Sequence, residues 1–154
     1  MTDSKNMSAI SNTREELTDY QIFIVWKPEF TLGIPIIDEQ HRGIVSSINS
    51  LHYAMQHNIG EAMLHPIIGM VKEYTRIHFH IEEDFLRKDG FPDLAYHQDL
   101  HRELTDTLAL VEVVSLKEND PHQFMDFLRL WWIEHICNKD RVFLQHRMQT
   151  QDRK

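Results

Sequence analysis

Cysteine is nearly missing from this chain: Cys137 stands alone among 154 residues. A disulfide framework and a thiolate metal cluster are both excluded, because each needs several cysteines, so any metal must be held by nitrogen and oxygen. Glycine and proline are scarce too, five of each, which leaves few points where a helix must break. No apolar run approaches the ~20 residues that a membrane span requires, and no membrane partner is expected. Basic residues are outnumbered, 16 Lys and Arg against 24 Asp and Glu for a formal charge of -8. Such a chain repels phosphate backbones, which argues against nucleic acid as a partner. The opening stretch MTDSKNMSAISNTREEL has no charged head followed by an apolar block; without that secretory pattern, the expected compartment is the cytoplasm.

Histidine, by contrast, is abundant, with 11 residues. Many imidazoles combined with few breakers suggest long helices that carry ligands. A composition 42% hydrophobic and 26% charged is that of a globular chain, and this length suits one domain that buries roughly 70% of its unfolded surface.

Residues 1–20 mix Ser, Asn, Thr and charges without periodicity and read as a flexible polar tail. A single domain is expected over 21–150. From Tyr20 to Ile37 the text turns aromatic, but Pro28, Gly33 and Pro35 interrupt any helical period, so this stretch reads as an irregular arm. Four amphipathic helices follow, over about 38–56, 66–88, 93–115 and 121–148. Asp38 can cap the first, whose buried face carries His41, Ile44, Val45, Ile48, Leu51 and Met55. Pro66 suits the first position of the second, Gly90 ends it, and Asp120-Pro121 is a strong start for the fourth. The fourth stripe reads Phe124, Leu128, Trp131, His135 and Val142. Short connections favour antiparallel neighbours, so the expected fold is an all-α, up-down-up-down four-helix bundle.

The apolar stripes are not purely apolar. His78 and Glu82 are four residues apart on the second helix, as are His97 and His101 on the third. A step of four turns a helix by about 400°, so each pair leaves from nearly one side. His41 and His135 lie on the inward stripes of the first and fourth helices. A lone histidine there is more often a satisfied core residue than a ligand, but four helices doing it together is different. The depths also agree: in an antiparallel bundle all six positions fall at one end, within about two or three turns.

The remaining histidines fail that test. His52 and His146 lie about 16 Å along their helices from His41 and His135, and His122 lies about 20 Å from His135. His80 is about 200° around from His78 and should face solvent. His57 and His65 fall in or beside the first connection. None is assigned a ligand role.

Five neutral imidazoles and one carboxylate exceed what a single zinc ion needs, whereas two octahedral iron ions can share such a set if a carboxylate bridges them. Glu82 is the natural bridge. A second is desirable for charge neutrality, and both Glu134 and Asp140 are near His135. Helical geometry does not choose between them, because Asp140 is about 140° around from His135.

At this point the motifs resemble a known family. Ile37-Asp38-Glu39-Gln40-His41, His78-Phe79-x-x-Glu82-Glu83, Phe91-Pro92 followed by His97-x-x-x-His101, and Trp131-x-x-x-His135-Ile136-x-x-x-Asp140 together look like the hemerythrins, especially the bacterial ones. The likeness covers about residues 24–147, and Trp26 and Gly33 resemble the arm that precedes the first helix in that family.

The resemblance implies a non-haem di-iron centre that binds O2 reversibly. His97, His101 and His135 would hold one iron, and His41 and His78 the other. Glu82, Asp140 and an oxo or hydroxo oxygen would bridge them. The two-histidine iron would keep an open position for O2, in a dry pocket lined by Phe79, Trp131, Trp132 and Ile136. Trp132 stands where the family commonly has Leu. A carrier, storage or delivery protein is the expected function, with O2, redox or nitric oxide sensing through an unidentified protein partner as the alternative. No separate acid, base or nucleophile constellation accompanies the site, so enzymatic turnover is not expected.

Overall fold

A computed structural model of the chain describes residues 22–151. The expected polar tail at 1–20 lies outside the described residues. The arm runs irregularly from Ile22, with one 3-10 turn at Pro28–Phe30. Four helical rods follow: α1 (Pro35–Gln56), α2 (Gly60–Lys88), α3 (Leu94–Glu118), and a fourth that begins as α4 (Pro121–Leu130). That fourth rod continues through a π-helical stretch, Trp131–Lys139, into α5 (Asp140–Gln151). No strand is present among the described residues. Rods one and three each pack on rods two and four, and the connections are short. The result is the expected four-helix bundle. None of the described helices is long and apolar enough to cross a membrane.

Several boundaries differ from the sequence reading, each for a physical reason. α1 starts at Pro35, three residues before Asp38, so Asp38 is not its cap. The Asp38 carboxylate instead accepts the backbone N–H groups of Leu32 (2.7 Å) and Gly33 (3.1 Å) and ties the arm to the first turn. α2 starts at Gly60 and keeps Pro66 in its interior. A mid-helix proline costs about 3 kcal/mol. Buried Leu64, Ile67, Ile68 and Val71 around it contribute about 1.5–3 kcal/mol each, which decides for helix. Asn58 provides the left-handed residue that turns the chain between α1 and α2 (φ 57°). α3 runs on to Glu118, where left-handed Asn119 closes it with an N–H to the Ser115 carbonyl. Asp120 caps α4 as the sequence indicates, accepting the His122 N–H at 2.9 Å.

The π-helical stretch is the largest departure. An α-helix from 121 to 148 would turn Val142 inward, yet Val142 is 46% exposed and Phe143 is the buried residue, at 2%. The extra residue in the widened turns moves the inward stripe on by one.

Two apolar layers fill the bundle. The larger contains Ile44, Phe79, Leu108, Trp131 and Ile136, among others. The smaller, at the end reached by the arm, contains Leu32, Ile34, Ile37, Leu86, Phe91 and Phe143. On rods one, two and four the expected polar residues lie between a member of one layer and a member of the other: His41 between Ile37 and Ile44, Glu82 between Phe79 and Leu86, Asp140 between Ile136 and Phe143. Rods one and two also approach closely, since a Cβ at Gly43 would sit 2.5 Å from the Tyr74 ring.

Candidate metal centre

The polar layer between the two apolar ones is built from the inward stripe of every rod. His41 comes from α1, His78 and Glu82 from α2, His97 and His101 from α3, and His135 and Asp140 from the fourth rod. None is more than 4% exposed. Their donor atoms form two groups, each within a 4.8 Å span: Glu82, His97, His101 and His135, and His41, His78, Glu82 and Asp140. Glu82 belongs to both. Its Oε2 lies 3.2 Å from both His97 Nε2 and His101 Nε2, and 3.7 Å from His78 Nε2. Asp140 reaches both ways too, with Oδ2 at 3.3 Å from His41 Nε2 and Oδ1 at 3.2 Å from His135 Nε2.

The π-helical stretch is what brings Asp140 here. The backbone N–H of Asp140 bonds to the His135 carbonyl, so residues five apart align as residues four apart do in an α-helix. Glu134, the other candidate carboxylate, faces outward and is exposed.

These atoms fit a cation better than they fit one another. Both Asp140 oxygens, both His41 nitrogens and His78 Nε2 are buried without a hydrogen-bond partner among the described residues. Each such buried orphan costs about 1–3 kcal/mol. His101 Nε2 and His135 Nε2 point at each other across 3.0 Å, which suits two lone pairs aimed at a shared ion. An octahedral ion with bonds of about 2.1 Å sets neighbouring donors about 3 Å apart.

The electrostatics keep His78, His135 and Glu82 in the form that binds a metal. Burial pushes the His78 imidazole down to about 4 and lowers His135 as well, against the pull of Asp140. Burial raises the Glu82 carboxyl, but the imidazoles of His101 and His97 packed against it outweigh that and hold Glu82 well below the usual carboxylate range. Burial also opposes protonation of His97, yet its hydrogen bond to Glu82 and the Glu82 charge raise it overall. Neutral imidazoles beside ionised carboxylates are the forms that bind a metal.

Three residues without an assigned role in the sequence reading orient the rings. Gln40 Oε1 accepts from His78 Nδ1 at 3.1 Å, and Glu83 Oε1 accepts from His101 Nδ1 at 2.8 Å. Gln98 Nε2 donates to the other Glu83 oxygen at 2.8 Å. Each contact on Nδ1 fixes the tautomer that presents Nε2 to the layer. Glu83 and Gln98 sit one residue beyond Glu82 and His97, on flanks that face each other across α2 and α3, a relationship that appears only once the helices pack.

Phe79 stacks on His101 at 3.7 Å and lies 5.7 Å from both His78 and His135. Trp131 meets its edge at 6.0 Å. Ile136 is buried in the same apolar layer. Trp132 is buried as well, but its ring contacts are with Trp26 (6.1 Å) and Phe30 (5.1 Å) of the arm. The histidines set aside by the sequence reading stay apart. His57, His65, His80 and His122 are exposed, while His52 packs on Phe23 and His146 on Phe91. None joins either donor group.

A bundle whose four rods close around two overlapping sets of imidazoles and carboxylates is built to hold a pair of cations. The family model for the hemerythrin HHE cation-binding domain matches residues 32–146. The chain is 33% identical over 129 residues to a bacteriohemerythrin of Clostridium acetobutylicum, covering 78% of this chain and 98% of the relative. It is 30% identical over 121 residues to a bacteriohemerythrin of Stenotrophomonas maltophilia, covering 78% of each, and 29% identical over 118 residues to one from Methylococcus capsulatus, covering 75% and 88%. The chain belongs to the hemerythrin family, and as a member it is a non-haem di-iron protein.

Proposed function

We propose that this protein binds O2 reversibly at its di-iron centre, as a carrier or store in the cytoplasm and without turnover. In this reading His97, His101 and His135 would hold one iron and His41 and His78 the other, with Glu82 and Asp140 within reach of both sets. The observation that carries it is the shared position of Glu82, whose one carboxylate serves both donor groups inside a layer closed by apolar residues. Iron at that place supplies the electrons that O2 takes up on binding and returns on release.

The chain's own residues favour release over further reaction. Five imidazoles are neutral donors, and they stabilise high iron oxidation states less than the carboxylate-rich sites of ferritin-like proteins do. Glu82 and Asp140 together provide two negative charges. Phe79, Trp131 and Ile136 keep the layer dry, which limits the entry of water and anions that would leave the iron permanently oxidised. Trp132 closes the layer indirectly by clamping Trp26 and Phe30.

The same clamp favours sensing as a second reading. Trp132 belongs to the π-helical stretch that carries His135, so a shift at the centre has a mechanical path to the arm. One experiment separates the readings: count the iron, then record the visible spectrum of the reduced protein after air and again after deoxygenation. A band that appears with air and disappears without it supports carriage. A rapid, one-way conversion to the oxidised spectrum supports sensing.

A further inference from the structure

His78 and His101 both turn Nε2 toward Glu82, yet what stands behind them differs in charge. The Nδ1–H of His101 donates to a carboxylate, Glu83, at 2.8 Å, while the Nδ1–H of His78 donates to the neutral amide oxygen of Gln40 at 3.1 Å. Bonds to an ionised acceptor are shorter and roughly twice as strong as neutral ones. A ring that partly surrenders its Nδ1 proton to an anion gathers negative charge on Nε2 and becomes a stronger donor to any ion there.

We propose that Glu83 is a positioning residue that makes His101 the electron-rich ligand, so that the three-histidine ion favours the ferric state more than the ion beside His78 does. This rests on the two-iron reading above. Gln40 orients His78 equally well but adds no charge, which leaves the two-histidine ion the more easily kept ferrous. The two donor groups already differ by one imidazole and share Glu82; Glu83 adds a difference in charge behind the rings that the ligand count does not supply.

The surroundings of Glu83 make the proposal testable. Its side chain is partly exposed and lines a cleft between α2 and α3 together with Arg76, Arg102 and Asp106. Glu83→Gln therefore removes charge without opening a cavity. A glutamine oxygen still accepts the His101 proton, and the Gln98 amide can turn its own oxygen toward the new NH2 group.

The test measures the reduction potentials of the iron-loaded wild type, Glu83→Gln and Glu83→Leu, with iron content and zinc affinity measured alongside. Glu83→Gln is expected to keep two irons and lose about tenfold in ferric over ferrous preference, which raises the potential by about 59 mV for a one-electron step. Glu83→Leu is expected to weaken zinc binding by about 10–100-fold. A Glu83→Gln protein with an unmoved potential overturns the proposal, even if Glu83→Leu loses metal, because the role of Glu83 is then structural only. A wild type that holds no iron pair overturns the two-iron reading and this inference with it.

Discussion

The N–H of Asp140 donates to the carbonyl oxygen of His135, five residues back along the fourth rod. That single widened hydrogen bond places a carboxylate and an imidazole on one face, where an α-helix would set them about 140° apart. Removing one residue from the stretch restores α-helical register. Deletion of exposed Asn138 is expected to leave helical circular dichroism nearly unchanged while iron falls below two per chain. Retention of two irons would show that the register is not needed.

Glu82 serves both donor groups, so its loss should cost more than the loss of a ligand to one. Glu82→Ala is expected to abolish retention of both irons on gel filtration, and His78→Ala to weaken mainly one of them. His80 is exposed on the far side of α2, and His80→Ala should match the wild type in iron content. A fall there would mean that the α2 face is wrongly assigned.

Metal removal should destabilise the fold, because the orphaned Asp140, His41 and His78 atoms then have no partner. A cation present at 100 times its dissociation constant stabilises the folded state by about 2.7 kcal/mol. The apo-protein is therefore expected to melt several degrees lower, and added zinc or ferrous iron to restore the midpoint.

The apo-protein should also lose stability with acid. His78 has its folded pKa lowered from 6.5 to about 4, so below 6.5 the unfolded chain binds a proton that the folded chain refuses. Stability from this group is complete above 6.5 and is lost as pH falls toward 4, by an amount on the order of 3 kcal/mol. His135 and Glu82, both lowered, act in the same direction; His97, raised, opposes them. Urea unfolding of apo-protein across that range checks the sign.

Trp132 holds the arm through Trp26 and Phe30. Trp132→Leu should cost about 1–3 kcal/mol through lost packing. It should also speed hydrogen exchange at the Ile24 N–H, which bonds to Asn49 at 2.8 Å, while both irons stay bound. Unchanged exchange would place the hold on the arm elsewhere, with Asn49 and with the Arg42 guanidinium 4.1 Å from Trp26.

Much of this architecture was legible in the sequence because it follows from a helical period. The stripes that carry His41, His78, Glu82, His97 and His101 repeat at three and four, and those faces are the buried ones. The start of α2 was not legible, because Pro66 is a breaker whose penalty is overcome only by partners on other helices. Asp140 was the harder case. The period needed to see it belongs to a π-helix, and nothing local in Trp131–Lys139 announces that; the resemblance of the His135–Asp140 motif pointed to it before any geometry could. Glu83 and Gln98 were invisible for a different reason, since their role exists only between two packed helices.

Whether a pair of irons shares Glu82 is decided by anomalous diffraction at the iron edge from crystals of the iron-loaded protein. Two peaks are expected about 3.5 Å apart, one among His97, His101 and His135 and the other beside His41 and His78, with Glu82 and Asp140 between them. A single peak in the layer, or two that do not share Glu82, would contradict it.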